Sequence, residues 1–190
     1  MAGELSPVEL RFEEFKEAAR ALKDRGDLSL LNSAEDTFRK SLLLTAASWF
    51  EHLITRSIVD AAAQASNNCV PVVNFVQNKG IRRQFHTFFN WEAKNGSQFF
   101  GLFGPEFAEK MKLLLAADEQ LRTALEAFIE IGAERNRMIH GNYGVYSLDK
   151  TTEEVYGLYR TAAVFPVRFD DELKRIAIPP TESPLPPNSE

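Results

Sequence analysis

Apolar residues in this chain recur every three to four positions over most of its length, and no segment alternates with period two over the length of a strand. That pattern gives helices a buried face and gives sheets none, so the expected fold is all-α: a bundle of about four main helices with some shorter ones. Pro7 to Asp24 reads as an amphipathic helix with Val8, Phe12, Phe15, Ala19 and Leu22 on one face, and Gly26 breaks it. Ser33 reads as the N-cap of a long helix to Ala65, with Glu35 and Asp36 in a first turn where carboxylates suit the helix dipole. Its apolar positions, among them Phe38, Leu42, Ala46, Trp49 and Phe50, cover more than one side, as in a central helix. Asn67-Asn68 ends it. Pro71 opens a short helix through Gln77, closed by Asn78-Lys79-Gly80, and residues 81–89 form another short piece.

Residues 90–105 read as a loop rich in Gly and Phe. Pro105 opens a helix to Ala117, Asp118 caps one from Glu119 to His140, and Gly141 stops it. Thr151 or Thr152 begins a last helix that Pro166 limits or kinks, with a shorter piece over 170–175. The chain divides into an N-terminal helix (1–30), a helical domain (31–176) and a proline-rich tail (177–190) expected to be extended or disordered.

Charge and cysteine usage narrow the function. The formal charge is −5 and the pI near 5.4, which counts against coating nucleic acid by broad counterion release but leaves room for a local basic cleft. The single cysteine, Cys69, excludes an internal disulfide framework and points to a reducing compartment. No Cys/His cluster has zinc spacing, and no cofactor is implied. The N-terminus is acidic and amphipathic, unlike a signal peptide, and no apolar run approaches the ~20 residues of a membrane span. A cytoplasmic protein is expected.

One helix carries a residue that the pattern does not explain. From Glu119 onward an apolar stripe runs Leu121, Leu125, Phe128, Gly132 and Ile139, and the position between the last two is Arg135. A guanidinium cannot be neutralised and is costly to bury without partners. Asn136 and His140, four residues apart, stack on one side of the same helix at the edge of that stripe. The helix end thus gathers a fixed cation, an amide and an imidazole, a side chain suited to acid–base work near neutral pH. The plain alternative is a snorkelling or salt-bridged Arg135 and a His140 that merely caps the helix.

Arg135-Asn136-Arg137-Met138-Ile139-His140, followed by Gly141-Asn142-Tyr143, resembles the R-N-x-x-x-H signature near the end of the last core helix of HEPN domains. It is most similar to the bacterial RiboL-PSP-HEPN group. The alanine- and aromatic-rich stretch Ala46 to Ile54, which carries Glu51, and the segment Leu148 to Phe169 resemble that group's earlier and following helices. The resemblance covers roughly residues 35–170. It implies a homodimer that brings two R-x4-6-H motifs to one cleft, and an endoribonuclease that uses no metal. In that reading His140 moves a proton, Arg135 holds the phosphate, and Asn136 orients His140 or contacts the phosphate. Attack by the RNA 2′-hydroxyl leaves a 2′,3′-cyclic phosphate, and the role is that of a toxin or phage-defence effector with an inhibitor or antitoxin protein as partner. Related toxins often carry a tyrosine two places after the histidine. Here Asn142 stands there and Tyr143 one later, so control by tyrosine AMPylation is not implied, while both remain supporting candidates.

Glu51 is a candidate supporting carboxylate, paired with Arg135 or facing the cleft, against an equal alternative of a solvated charge. Arg82-Arg83-Gln84-Phe85-His86 reads first as an ordinary amphipathic surface, with an RNA-contacting basic patch as the alternative. His52 has no evident partner. The aromatic residues of 88–107 read as core or as a dimer interface rather than as base-stacking platforms. Two other functions remain open: a catalytically silent HEPN dimer that binds RNA, a nucleotide or a protein, and a helical scaffold in which Arg135 is buried and salt-bridged.

Overall fold

The structure, a computed structural model, describes residues 5–93 and 95–177. Gly26, at φ +75°, sits in left-handed backbone that side chains with a Cβ rarely adopt, and so separates α1 (Pro7–Asp24) from α2 (Leu28–Ala65). Ser6 caps α1 through a reciprocal box with Glu9. The long helix starts at Leu28 rather than after Ser33, whose carbonyl accepts the Thr37 hydroxyl inside the helix. Nothing between Gly26 and Ser33 breaks a helix, and Leu28 and Leu30 face solvent, so no apolar stripe advertises that first turn. Its 38 residues span roughly 57 Å. Asn67 and Asn68, both at positive φ, end it as the sequence reading expects.

The next segments depart from expectation. α3 (Val70–Phe75) does not close at Asn78-Lys79-Gly80 but runs on as a π-helical turn over Val76–Ile81, where the Arg82 N–H reaches back to the Gln77 carbonyl. Arg83, at φ +64°, ends that turn before α4 (Phe85–Phe88). The segment read as a loop holds one helical turn, α5 (Ser97–Gly101), because Phe99 and Phe100 point into the core. α6 (Pro105–Ala117) and α7 (Glu119–His140) match the reading, and the Asp118 carboxylate accepts the Leu121 N–H at 2.9 Å. α8 (Thr152–Ala162) starts from a Thr151–Glu154 capping box. α9 (Val164–Ala177) is much longer than the piece expected over 170–175: Pro166 lies in its first turn, where no backbone N–H is needed. The proline-rich stretch from 178 onward lies outside the described residues.

All regular elements among the described residues are helical, and α2 is the hub, with α1, α7, α8 and α9 packed against it. Phe50 of α2 meets Phe128 of α7 and Tyr159 of α8, each at 5.5 Å between ring centroids. Phe89, Phe99, Phe165 and Phe169 extend this aromatic core, so Phe88, Phe89, Phe99, Phe100 and Phe107 pack inward rather than presenting rings for stacking. Truncating one such ring to alanine typically costs about 3–5 kcal/mol. α1 joins the same core through Phe12, stacked on Tyr156 at 3.9 Å, and through the Ser6–Tyr159 hydroxyl contact at 2.8 Å. The buried Glu172 of α9 is held by Lys110 of α6 and by Arg175. No helix among the described residues is long and apolar enough to cross a membrane.

Candidate functional site

α7 is covered along Leu121, Leu125, Phe128 and Gly132, and then outruns its cover. Met138 is the one buried side chain of its last two turns; Ile139, expected inward, is 44% exposed, and Arg135 is half-buried. The neighbours that bury the earlier turns leave a cleft of about 450 Å³ here instead of more core. Three elements wall it. α7 contributes Arg135, Asn136 and His140, and α2 contributes Ala47, Phe50 and Glu51. The third wall is the 83–91 segment, with Arg83, Phe85, His86 and Trp91. The floor is apolar and aromatic, while the charged groups sit together around it.

The small side chain of Ala47, one turn before Glu51, leaves room on the α2 side. Glu51 therefore faces the cleft but makes no ion pair with Arg135 among the described residues. Instead the Arg135 Nη1 donates to the Asn136 Oδ1 at 2.9 Å, which fixes the guanidinium through its sequence neighbour. Asn136 thus holds Arg135 rather than His140. Arg83 has no acidic partner among the described residues either. Two fixed cations face one carboxylate in this cleft, within a chain whose formal charge is −5.

Asn142 and Tyr143 lie outside the cleft. Asn142 takes the left-handed turn after α7 at φ +66°, with its side-chain oxygen accepting the Gly144 N–H. Tyr143 packs its ring 5.6 Å from the Lys40 ammonium. Lys40 in turn bridges to Asp36, and that contact, with Arg39 beside it, holds the Asp36 carboxyl below its ordinary range. His52 stacks on Trp49, away from the cleft.

The loop after α7 is tied back by Tyr146, whose hydroxyl donates to Glu134 at 2.6 Å, while Arg137 grips the other oxygen of the same carboxylate. Burial first, and the carboxylate second, push the Tyr146 hydroxyl up from about 10 to about 12. The unfolded tyrosine ionises near 10 while the folded one keeps its proton, so this stabilisation is complete below pH 10 and is lost as pH rises toward 12. Tyr146→Phe is expected to cost about 1–3 kcal/mol in urea unfolding at neutral pH. It should also flatten the fall in stability between pH 10 and 12. An unchanged slope in the variant would count against this clamp.

Arg83 and His86 are the residues that the sequence reading placed on an ordinary surface. They reach the cleft through Trp91. A Cβ at Gly132 would lie 1.9 Å from the Trp91 ring, so the indole rests directly on the α7 backbone. The indole N–H donates to the His86 carbonyl at 3.0 Å and draws that segment against α7. Gly132 appears in the sequence only as a small member of an apolar stripe; its use as a notch for an aromatic ring from a distant loop leaves no local signal.

No curated protein and no solved structure gives a significant match to the chain. The sequence profile of the RiboL-PSP-HEPN family, by contrast, matches residues 9–175, a span that starts within α1 and ends within α9. With its all-helical core and the R-N-x-x-x-H motif lining a cleft, the chain belongs to the RiboL-PSP-HEPN family.

Proposed function

We propose that this protein is an endoribonuclease that uses no metal ion, and that RNA is cut in the cleft between α2 and α7. The observation that carries this reading is Arg135. It is a half-buried guanidinium with no carboxylate partner among the described residues, beside His140 in an open cleft. A cation kept partly out of water without an internal counter-ion is costly, and a phosphate supplies what it lacks. A scaffold role would have paired it internally.

The reaction follows from these groups. The 2′-hydroxyl of the RNA attacks the adjacent phosphorus, forming the P–O2′ bond and breaking the P–O5′ bond. One imidazole takes the 2′-hydroxyl proton and another proton is delivered to the departing 5′-oxygen, with His140 serving one of these transfers. Arg135 grips the non-bridging oxygens as their charge grows, its plane fixed by the Asn136 side-chain oxygen; the Asn136 amide N–H groups are left for the phosphate. The products are a 2′,3′-cyclic phosphate and a 5′-hydroxyl. A homodimer, a role as a growth-arresting toxin or antiviral effector, and control by an inhibitor protein complete the proposal, as membership of this family suggests.

The test is cleavage of RNA by the purified protein with and without excess EDTA. Equal rates are expected, because the nucleophile belongs to the substrate. Loss of activity on chelation would contradict the mechanism. Tight RNA binding with no cleavage under any condition would favour a silent binding module instead.

A further inference from the structure

The cleft holds a second imidazole. We propose that His86 is the other proton-transfer group of the cleavage reaction, with Arg83 as a second phosphate cation. This inference rests on the RNA-cleavage reading above. His86 and His140 come from different elements, separated by 54 positions in sequence numbering, yet line the same cleft of about 450 Å³, a size that suits a nucleotide-scale ligand. The groups that can carry charge around it are Glu51 from α2, Arg83 and His86 from the segment before α4 and in it, and Arg135 and His140 from α7.

The His86 side chain is exposed at the cleft, but the backbone that carries it is anchored. The His86 carbonyl accepts the Trp91 indole N–H at 3.0 Å, and the next carbonyl, that of Thr87, accepts the Gln98 side-chain amide at 2.6 Å. The indole is itself seated on Gly132, three residues before Arg135 on α7. The backbone that carries His86 is therefore registered to the helix that carries Arg135 and His140. Arg83 takes positive φ, a conformation that costs a non-glycine residue of order 1–3 kcal/mol and that concentrates at functional sites. That conformation lies in the segment whose side chain lines the cleft, with no acidic partner among the described residues.

The step balances within the pair. The neutral imidazole takes the 2′-hydroxyl proton as the P–O2′ bond forms, and the protonated one gives its proton to the 5′-oxygen as P–O5′ breaks. The two histidines exchange protonation states in each turnover, and solvent resets them.

The experiment compares wild type, His86→Gln and His140→Gln on a normal RNA and on one whose leaving 5′-oxygen is replaced by sulfur. A thiolate leaves without protonation, so loss of the acid is rescued and loss of the base is not. On normal RNA His86→Gln is expected to lower kcat roughly 10²- to 10⁴-fold with little change in KM. On the sulfur substrate one of the two variants recovers and the other does not. His86→Gln within about threefold of wild type on normal RNA overturns the assignment while leaving the cleavage reading intact. Rescue of both variants or of neither also overturns it. Failure of the wild-type protein to yield any cyclic phosphate overturns the cleavage reading, and this inference with it. The backbone contact to Trp91 survives the glutamine substitution, and unchanged thermal unfolding checks the fold.

Discussion

His140→Ala is expected to lower RNA cleavage roughly 10²- to 10⁴-fold with the fold intact, the usual effect of removing a proton-transfer group. His140 is exposed at the end of α7, so its loss empties no core. Arg135→Ala should cost about 10²- to 10³-fold, as expected when one stabiliser of developing charge is removed. Its effect on stability should run the other way. The half-buried guanidinium has an amide partner and no carboxylate partner among the described residues, so truncation relieves an uncompensated charge. Unfolding temperature is therefore expected to stay level or rise while activity falls, the pattern of a site that trades stability for function. Arg135→Lys should recover only part of the rate, because a point charge lacks the planar fork. Initial rates on a labelled RNA, with thermal melts on the same preparations, check both halves. Cleavage within about threefold of wild type in both alanine variants would remove these residues from the mechanism.

Gly132→Ala is expected to disable the cleft without unfolding the protein. The new methyl would sit 1.9 Å from Cζ3 and 2.3 Å from Cε3 of Trp91, so the rigid indole must leave its seat. Alanine gains up to about 1 kcal/mol over glycine in a helix interior, while overpacking costs about 1–3 kcal/mol, so the net loss is small. Trp91 is only partly buried and can swing outward, which moderates the strain further. The larger consequence is that the indole takes the His86 carbonyl with it and the third wall of the cleft is lost. Activity should drop by at least about tenfold, as misplacement of positioned groups typically does. In a Trp49→Phe background, the remaining indole emission should shift to the red. Gly157→Ala is the matched control: it lies within α8, where an added Cβ meets nothing within 4 Å, and it should stabilise the protein without touching activity. Equal behaviour of the two variants would show that the indole contact does not organise the site.

The helices that announce themselves by local chemistry were legible in the sequence. Pro7, Pro105, Asp118 and Thr151 mark starts through a fixed φ or a side-chain cap, and Gly26 and Gly141 mark stops. The early turns of α2 were not, because Leu28 and Leu30 face solvent and no cap marks the true start. The single turn α5 also escaped, since it is set by how Phe99 and Phe100 pack into the core, and so did the π-helical turn, in which no side chain is buried. Pro166 misled in the opposite direction: a proline three residues into a helix reads the same as one that ends it.

The site divides along the same line. Arg135 could be singled out because it interrupts a stripe, and Asn136, His140 and Glu51 gather with it in one cleft. Ile139 continued that stripe on paper, yet it is exposed, because periodicity locates a face and not where the packing against it stops. Arg83 and His86 depend on an indole seated on Gly132 from 41 positions away, a tertiary contact with no local pattern. Tyr143 follows the motif directly but turns to Lys40 instead.

The most direct measurement uses an RNA with one preferred cleavage position, prepared with either a ribose or a 2′-deoxyribose at that nucleotide. The ribose substrate should yield a 2′,3′-cyclic phosphate and a 5′-hydroxyl, and the deoxy substrate should remain intact at that position in EDTA. Cleavage of the deoxy position, or products ending in a 3′-hydroxyl and a 5′-phosphate, would contradict attack by the 2′-hydroxyl and with it the assignment of Arg135 and His140.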